Sequence, residues 1–186
     1  MIRTFIGVRF PVLNFLQRVL SDLSSMGRAV KPVSADNLHV TLKFLGDTDP
    51  MLVPKIAATI DESIKELSMV EVQVMGMGAF PNIARPSVVW AGLQNAEVLA
   101  DIKSQLDHRL EPLGFQPEKR EFTPHLTLAR VRSRPPNELR SFILENQKAE
   151  FGYTTVRSVN LFQSELTPAG PKYSVLSSSA LLDGGI

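Results

Sequence analysis

The chain has 186 residues, enough for one domain with its own core, and 44% apolar against 21% charged residues excludes disordered, collagen-like and coiled-coil readings. It has no cysteine, which excludes a disulfide scaffold, a zinc ribbon, an iron–sulfur site and a cysteine nucleophile. A formal net charge of +1 supplies no global field toward duplex nucleic acid or an anionic membrane, so any nucleic-acid contact has to be local.

The chain opens on an expected strand, in which Ile2, Thr4, Ile6, Val8 and Phe10 alternate with Arg3, Phe5, Gly7 and Arg9. Those arginines interrupt any signal-peptide apolar run, and no window approaches 18 uncharged apolar residues. The expectation is a cytoplasmic protein without a membrane span. Pro11 suits a first helical turn, and Leu13, Leu16, Leu20 and Leu23 follow at helical spacing up to Gly27. Residues 38–45 alternate again as a strand. Asp49-Pro50 predicts a cap and first turn for a helix striped by Leu52, Ile56, Ile60, Ile64 and Leu67. Strands are expected near 70–77 and 87–93. Leu99, Ile102, Leu106, Leu110 and Leu113 predict a third helix ended by Gly114, followed by a strand over 122–131. Pro135-Pro136 starts a short helix through Leu144, and strands near 151–161 and 172–181 finish the chain. Consecutive strands joined by short connections predict antiparallel sheets with helices outside them, an α+β fold of two lobes.

Two segments align without gaps: Asn37-Leu38-His39-Val40-Thr41-Leu42-Lys43-Phe44 and Thr123-Pro124-His125-Leu126-Thr127-Leu128-Ala129-Arg130. Both carry His-x-Thr-Leu, although the chain has only three histidines, a coincidence of about one in 10,000 at this composition. Duplication of a unit explains it better. On a strand, residues i and i+2 share a face, so each motif presents an imidazole beside a hydroxyl while its aliphatic neighbours enter the core. Lobes related by a pseudo-two-fold axis would set the two pairs across a cleft. Two imidazoles suit displacement at a phosphodiester, one taking a proton and one giving it, each worth roughly 10²- to 10⁴-fold. Thr41 and Thr127 would hold the non-bridging oxygens, and water suffices as nucleophile. Neither motif has the nearby carboxylate or third imidazole of a catalytic zinc site. Spacing alone leaves open which histidine is acid and which is base.

His39-Val40-Thr41-Leu42-Lys43-Phe44-Leu45-Gly46 and Pro124-His125-Leu126-Thr127-Leu128-Ala129-Arg130 resemble the paired signature motifs of the 2H phosphoesterases, in particular the RNA 2′,3′-cyclic phosphodiesterase group, also called 2′-5′ RNA ligases. The likeness extends through Gly78-Ala79-Phe80-Pro81, Val89-Trp90-Ala91-Gly92 and Pro112-Leu113-Gly114-Phe115. It implies one bilobal, pseudo-symmetric domain over 1–186, monomeric and needing neither metal nor cofactor. The implied activity is opening of a terminal 2′,3′-cyclic phosphate to a 2′-phosphate, with joining of RNA ends through a 2′-5′ linkage in the reverse sense. The implied partner is RNA with such a terminus, tRNA-derived ends included. By the same resemblance His39 is the proton donor, His125 the proton acceptor, and Arg130 a phosphate ligand.

Strict alternation puts Arg130 on the wrong face, so that role requires a bulge or a strand end. Phe44, the equivalent residue of the first motif, either stacks on a base or packs in the core. Lys43 shares the face of His39 by parity, as a candidate phosphate ligand. Lys119, Arg120, Arg130, Arg132 and Arg134 outnumber Glu118 and Glu121 around the second motif, as an RNA-backbone rim or a solvated face. His108 reads as solvated and Trp90 as core. Two other functions fit the same residues: a binding module that holds a nucleotide or RNA end without turnover, and a phosphodiesterase for a small cyclic nucleotide.

Overall fold

The computed structural model describes residues 1–168 and 170–183. The opening alternation forms β1 (Ile2–Arg9), and the leucine stripe forms α1 (Asn14–Ser25), burying Leu16, Val19, Leu20 and Leu23. Gly27, at φ +88°, turns the chain into β2 (Val30–Pro32), a strand too short to leave a periodic signal. β3 (His39–Thr48) carries the first motif. The carboxylate of Asp49 then accepts the Met51 amide at 3.0 Å, and Pro50 opens a 3-10 turn leading into α2 (Val53–Ile64). β4 (Val70–Phe80) and β5 (Val88–Gln94) pair as a hairpin, followed by α3 (Glu97–Leu110). β6 (His125–Val131) starts at the second motif itself, later than the apolar pattern from Phe122 suggests, and α4 (Asn137–Glu145) follows. The stretch expected as one strand over 151–161 is two, β7 (Glu150–Val156) and β8 (Ser158–Thr167), in different sheets. Arg157 between them is neither Gly nor Pro, so no turn residue marks the break. β9 (Gly170–Ala180) completes the fold.

The sheets are antiparallel, ordered β3-β1-β8-β9 and β2-β6-β5-β4-β7. Leaving β2 aside, they match strand for strand: β3 with β6, β1 with β5, β8 with β4, β9 with β7. Helices α2 and α3 pack on the first sheet, α1 and α4 on the second. Each lobe therefore draws on both halves of the chain. α1, which with β2 lies between β1 and β3 in the chain, packs on the second sheet, and α3, which joins β5 to β6, packs on the first. Buried side chains from both sheets and all four helices belong to one connected apolar cluster. No helix among the described residues is long and apolar enough to cross a membrane.

Both motif strands depart from alternation at the same place. β3 buries Leu42 and Lys43 in succession, and β6 buries Leu128 and Ala129. The ladders slip there: Ile6 pairs with Lys43 but Gly7 with Thr41, and Val89 pairs with Ala129 but Trp90 with Thr127. Each slip is a β-bulge, which inserts one residue and inverts the parity of the residues that follow it; in β3 a second slip, between Phe5–Phe44 and Thr4–Gly46, restores the parity beyond Leu45.

Candidate active site

β3 lies beside β6, so the two motifs meet between the lobes. The two imidazoles are tethered alike. His39 Nδ1 is 2.6 Å from the carbonyl oxygen of Asn37, and His125 Nδ1 is 2.7 Å from that of Thr123. A carbonyl oxygen only accepts, so Nδ1 carries a proton in both rings and Nε2 is the nitrogen left to face a substrate. Thr41 and Thr127 follow two residues on, half-buried like the histidines. Burial pushes His39 below its ordinary pKa, its bond to Asn37 opposes that, and the charges of Arg130, His125 and Arg9 add to the lowering. Charges from both lobes thus converge on this imidazole. Among the described residues no group of three or more His, Asp or Glu side chains converges to hold a metal ion.

The bulges decide the remaining candidates. Beyond them Phe44 and Arg130 return to the faces of His39 and His125, so the condition for Arg130 to reach the cleft is met. Phe44 is 68% exposed, which removes the core-packing alternative. Lys43 goes the other way. Parity had set it beside His39; instead it is 1% exposed, with Nζ donating to Asp107 Oδ1 at 2.5 Å and to the Gln116 carbonyl at 2.8 Å. It is withdrawn from the phosphate-binding set because the inserted residue turns it toward α3.

A family model for the 2′-5′ RNA ligase superfamily matches residues 16–167. The chain belongs to that superfamily. It is 36% identical over 176 residues to an RNA 2′,3′-cyclic phosphodiesterase of Methanothermobacter thermautotrophicus, covering 93% of this chain and 95% of the relative. The same identity holds over 160 residues to the enzyme of that name from Archaeoglobus fulgidus, covering 85% and 87%. A crystal structure from Thermus thermophilus superimposes with a TM-score of 0.84 at 28% identity, over 98% of this chain and 100% of the other. Escherichia coli LigT, solved with 3′-AMP, shares the fold at TM-score 0.73 and 22% identity, over 97% and 98% of the two chains.

This superfamily member frames its histidines with residues that periodicity did not single out. Arg9 stands directly across the β1–β3 ladder from His39, its guanidinium 5.6 Å from the Phe162 ring centre. Tyr173 meets the His39 ring edge-on at 5.1 Å, and Phe5 lies 4.9 Å from it. Burial raises the Tyr173 phenol, with Arg130 and Arg3 pulling the other way. Alternation marks Arg9 only as an outward residue of β1, and Tyr173 only as part of a strand. Around His125, Phe80 sits edge-on at 5.0 Å and Trp90 at 6.5 Å. Trp90 is not a core residue. It pairs directly with Thr127 on one side and Gly78 on the other, half-buried on the cleft face. A Cβ on Gly78 would stand 2.2 Å from the indole, so only glycine lets the ring lie there. Gly78→Ala should therefore displace the ring and destabilise the fold by about 1–3 kcal/mol. Trp90 is the chain's single tryptophan, so its emission reports the displacement directly. An unchanged spectrum and melting temperature would contradict this packing. His108 is exposed, as expected.

Proposed function

We propose that the protein hydrolyses the 2′,3′-cyclic phosphate of RNA ends to a 2′-phosphate, as a monomer and without a metal ion, using His39 and His125 as acid and base. The observation that carries this reading is the matched pair of imidazoles, both fixed through Nδ1 and both leaving Nε2 to handle a proton. The names of the curated relatives support the substrate class. Both motifs come from one chain, which supports a monomeric site.

In this mechanism water attacks phosphorus while neutral His125 takes its proton. The bond from phosphorus to the 3′ oxygen breaks, and protonated His39 gives that oxygen its proton. Solvent exchange then resets both rings. The Thr41 and Thr127 hydroxyls donate to the non-bridging oxygens as charge builds, and the Arg130 guanidinium pairs with them bidentately. Phe44 offers its face to the terminal base. A 5′-hydroxyl of a second RNA in place of water yields a 2′-5′ linkage by the same proton transfers.

The lowered pKa of His39 favours the neutral ring in the free enzyme, whereas a donor must be protonated. A bound phosphate anion offsets Arg130 and Arg9 and raises that pKa, so the alkaline limb of kcat should lie at higher pH than that of kcat/KM. Arg9→Gln removes one of the cations and should move the alkaline limb of kcat/KM to higher pH; a limb that stays in place, or moves down, would assign it to another group.

The deciding experiment offers oligonucleotides ending in 2′,3′-cyclic phosphate in the presence of a chelator. A 2′-phosphate product at undiminished rate is expected. A 3′-phosphate product would reverse the leaving oxygen, and binding without turnover would establish the binding-module reading instead.

A further inference from the structure

The β8–β9 hairpin cannot lie flat in its sheet. Tyr173 stands opposite Ser164, one step past the Thr4–Gln163 pair and so level with Arg3, whereas His39 stands opposite Arg9. On a flat sheet those positions would be about 20 Å apart along the strands and about 14 Å apart across them. Yet the Tyr173 ring lies 5.1 Å from that of His39 and 5.0 Å from that of Phe5, and the side-chain amide of Asn37 donates to the Pro171 carbonyl at 2.9 Å. Both contacts require the hairpin to curl over the cleft face of its own sheet, and the bulge between Leu161 and Phe162 supplies a bend at its base. The residues under the curl agree with this. Phe5 and Phe162 are buried and stacked at 4.9 Å, yet neither belongs to the apolar cluster that the helices cover.

The curl brings a hydroxyl to the half of the cleft that needs a donor. Where the second motif has Arg130 the first has Phe44, and Lys43 is turned toward α3, so β3 presents no cation to a phosphate. Tyr173 is half-buried, and its hydroxyl takes part in no hydrogen bond among the described residues. Ring contact with His39 on one side and the charge of Arg130 on the other put the phenol beside the place of the reacting phosphate. Burial holds the phenol above its ordinary pKa, so it stays a donor wherever the imidazoles titrate. Asn37 serves both neighbours of that phosphate. Its backbone carbonyl accepts from His39 Nδ1, and its side chain holds the hairpin that carries Tyr173.

We propose that Tyr173 is a further substrate ligand, its hydroxyl donating to an oxygen of the terminal phosphate, and that Asn37 is the positioning residue that latches it there. This rests on the cyclic-phosphate reading above for the identity of the substrate.

The test compares wild type, Tyr173→Phe, Asn37→Ala and the double variant, by calorimetric affinity for a nucleoside 2′-monophosphate and by turnover of the corresponding 2′,3′-cyclic phosphate. Tyr173→Phe keeps the ring contacts and loses the hydroxyl. It should weaken 2′-phosphate binding and lower kcat/KM about ten- to hundred-fold, with the melting temperature unchanged. Asn37→Ala leaves the backbone carbonyl for His39 and frees the hairpin, and should cost about three- to ten-fold on both measures. In the Tyr173→Phe background the same change should cost less than about two-fold, because the hydroxyl it positions is already gone. Asn37→Gln, whose amide can still donate to Pro171, should lose less than Asn37→Ala. Unchanged 2′-phosphate affinity in Tyr173→Phe would overturn the ligand, and equal Asn37→Ala losses with and without the hydroxyl would overturn the latch. Absence of turnover in wild type, with 2′-phosphate binding still weakened in Tyr173→Phe, would leave this contact standing and sink the catalytic reading alone.

Discussion

Replacing either His39 or His125 with alanine should lower kcat on cyclic-phosphate RNA ends by roughly 10²- to 10⁴-fold. The fold should survive. Neither ring belongs to the apolar cluster, and each makes one hydrogen bond, to a backbone carbonyl, worth about 0.5–1.5 kcal/mol. Both imidazoles serve one transition state, so the double variant should lose little more than the worse single variant. The two roles can be separated chemically. A diester whose leaving group departs as a stable anion, such as p-nitrophenolate, needs no proton donor. On it the His39→Ala variant should recover most of its rate and His125→Ala should not. Recovery in His125→Ala instead would exchange the roles, and full activity of both variants on RNA ends would remove the mechanism altogether.

What could be seen in the sequence is what depends on local period. Leu16, Leu20 and Leu23 mark α1, Ile56, Ile60 and Ile64 mark α2, and the duplicated His-x-Thr marks the strands that meet in the cleft. The failures share a cause too. Counting by twos cannot register an inserted residue, so Lys43 and Arg130 fall on the wrong faces until the ladders show the slips at Leu42 and Leu128. Trp90 alternates like a core residue, and only Gly78, across a hairpin, makes room for it on the open face. The interlocking of the lobes is invisible for the same reason: β1 joins β8 through partners such as Phe5 and Phe162, more than 150 positions apart. Local pattern chooses the elements, while long-range pairing chooses which of their faces meet.

Asp107→Ala should be the most damaging single change away from the cleft, at about 3–5 kcal/mol. The carboxylate takes Lys43 Nζ on one oxygen and Lys103 Nζ on the other, each at 2.5 Å. The lysine side chains are 1% and 7% exposed, so removing Asp107 strands two buried ammonium groups, with the Gln116 carbonyl, which accepts from Lys43, as the one remaining acceptor among the described residues. Burial acts to raise the Asp107 pKa, but the hydrogen bonds and charges of Lys103 and Lys43 outweigh it and hold the carboxyl below its usual range. A depressed carboxyl stabilises the fold above its unfolded pKa of about 3.9, and that contribution is lost as pH falls through the folded value. Wild type should therefore lose stability below about pH 4, and Asp107→Asn should flatten that part of the curve. The site should feel the change as well. Lys43 occupies the bulge that turns Phe44 outward, so a loosened Lys43 lets β3 return toward plain alternation and should raise KM for RNA ends more than it lowers kcat. Replacing the whole buried triad by apolar groups, Lys43→Met and Lys103→Met with Asp107→Leu, should recover much of the stability, because no unpaired buried charge then remains. A loss below 1 kcal/mol in Asp107→Ala would mean that both ammonium groups reach water, and would remove this cluster as the anchor of the bulge.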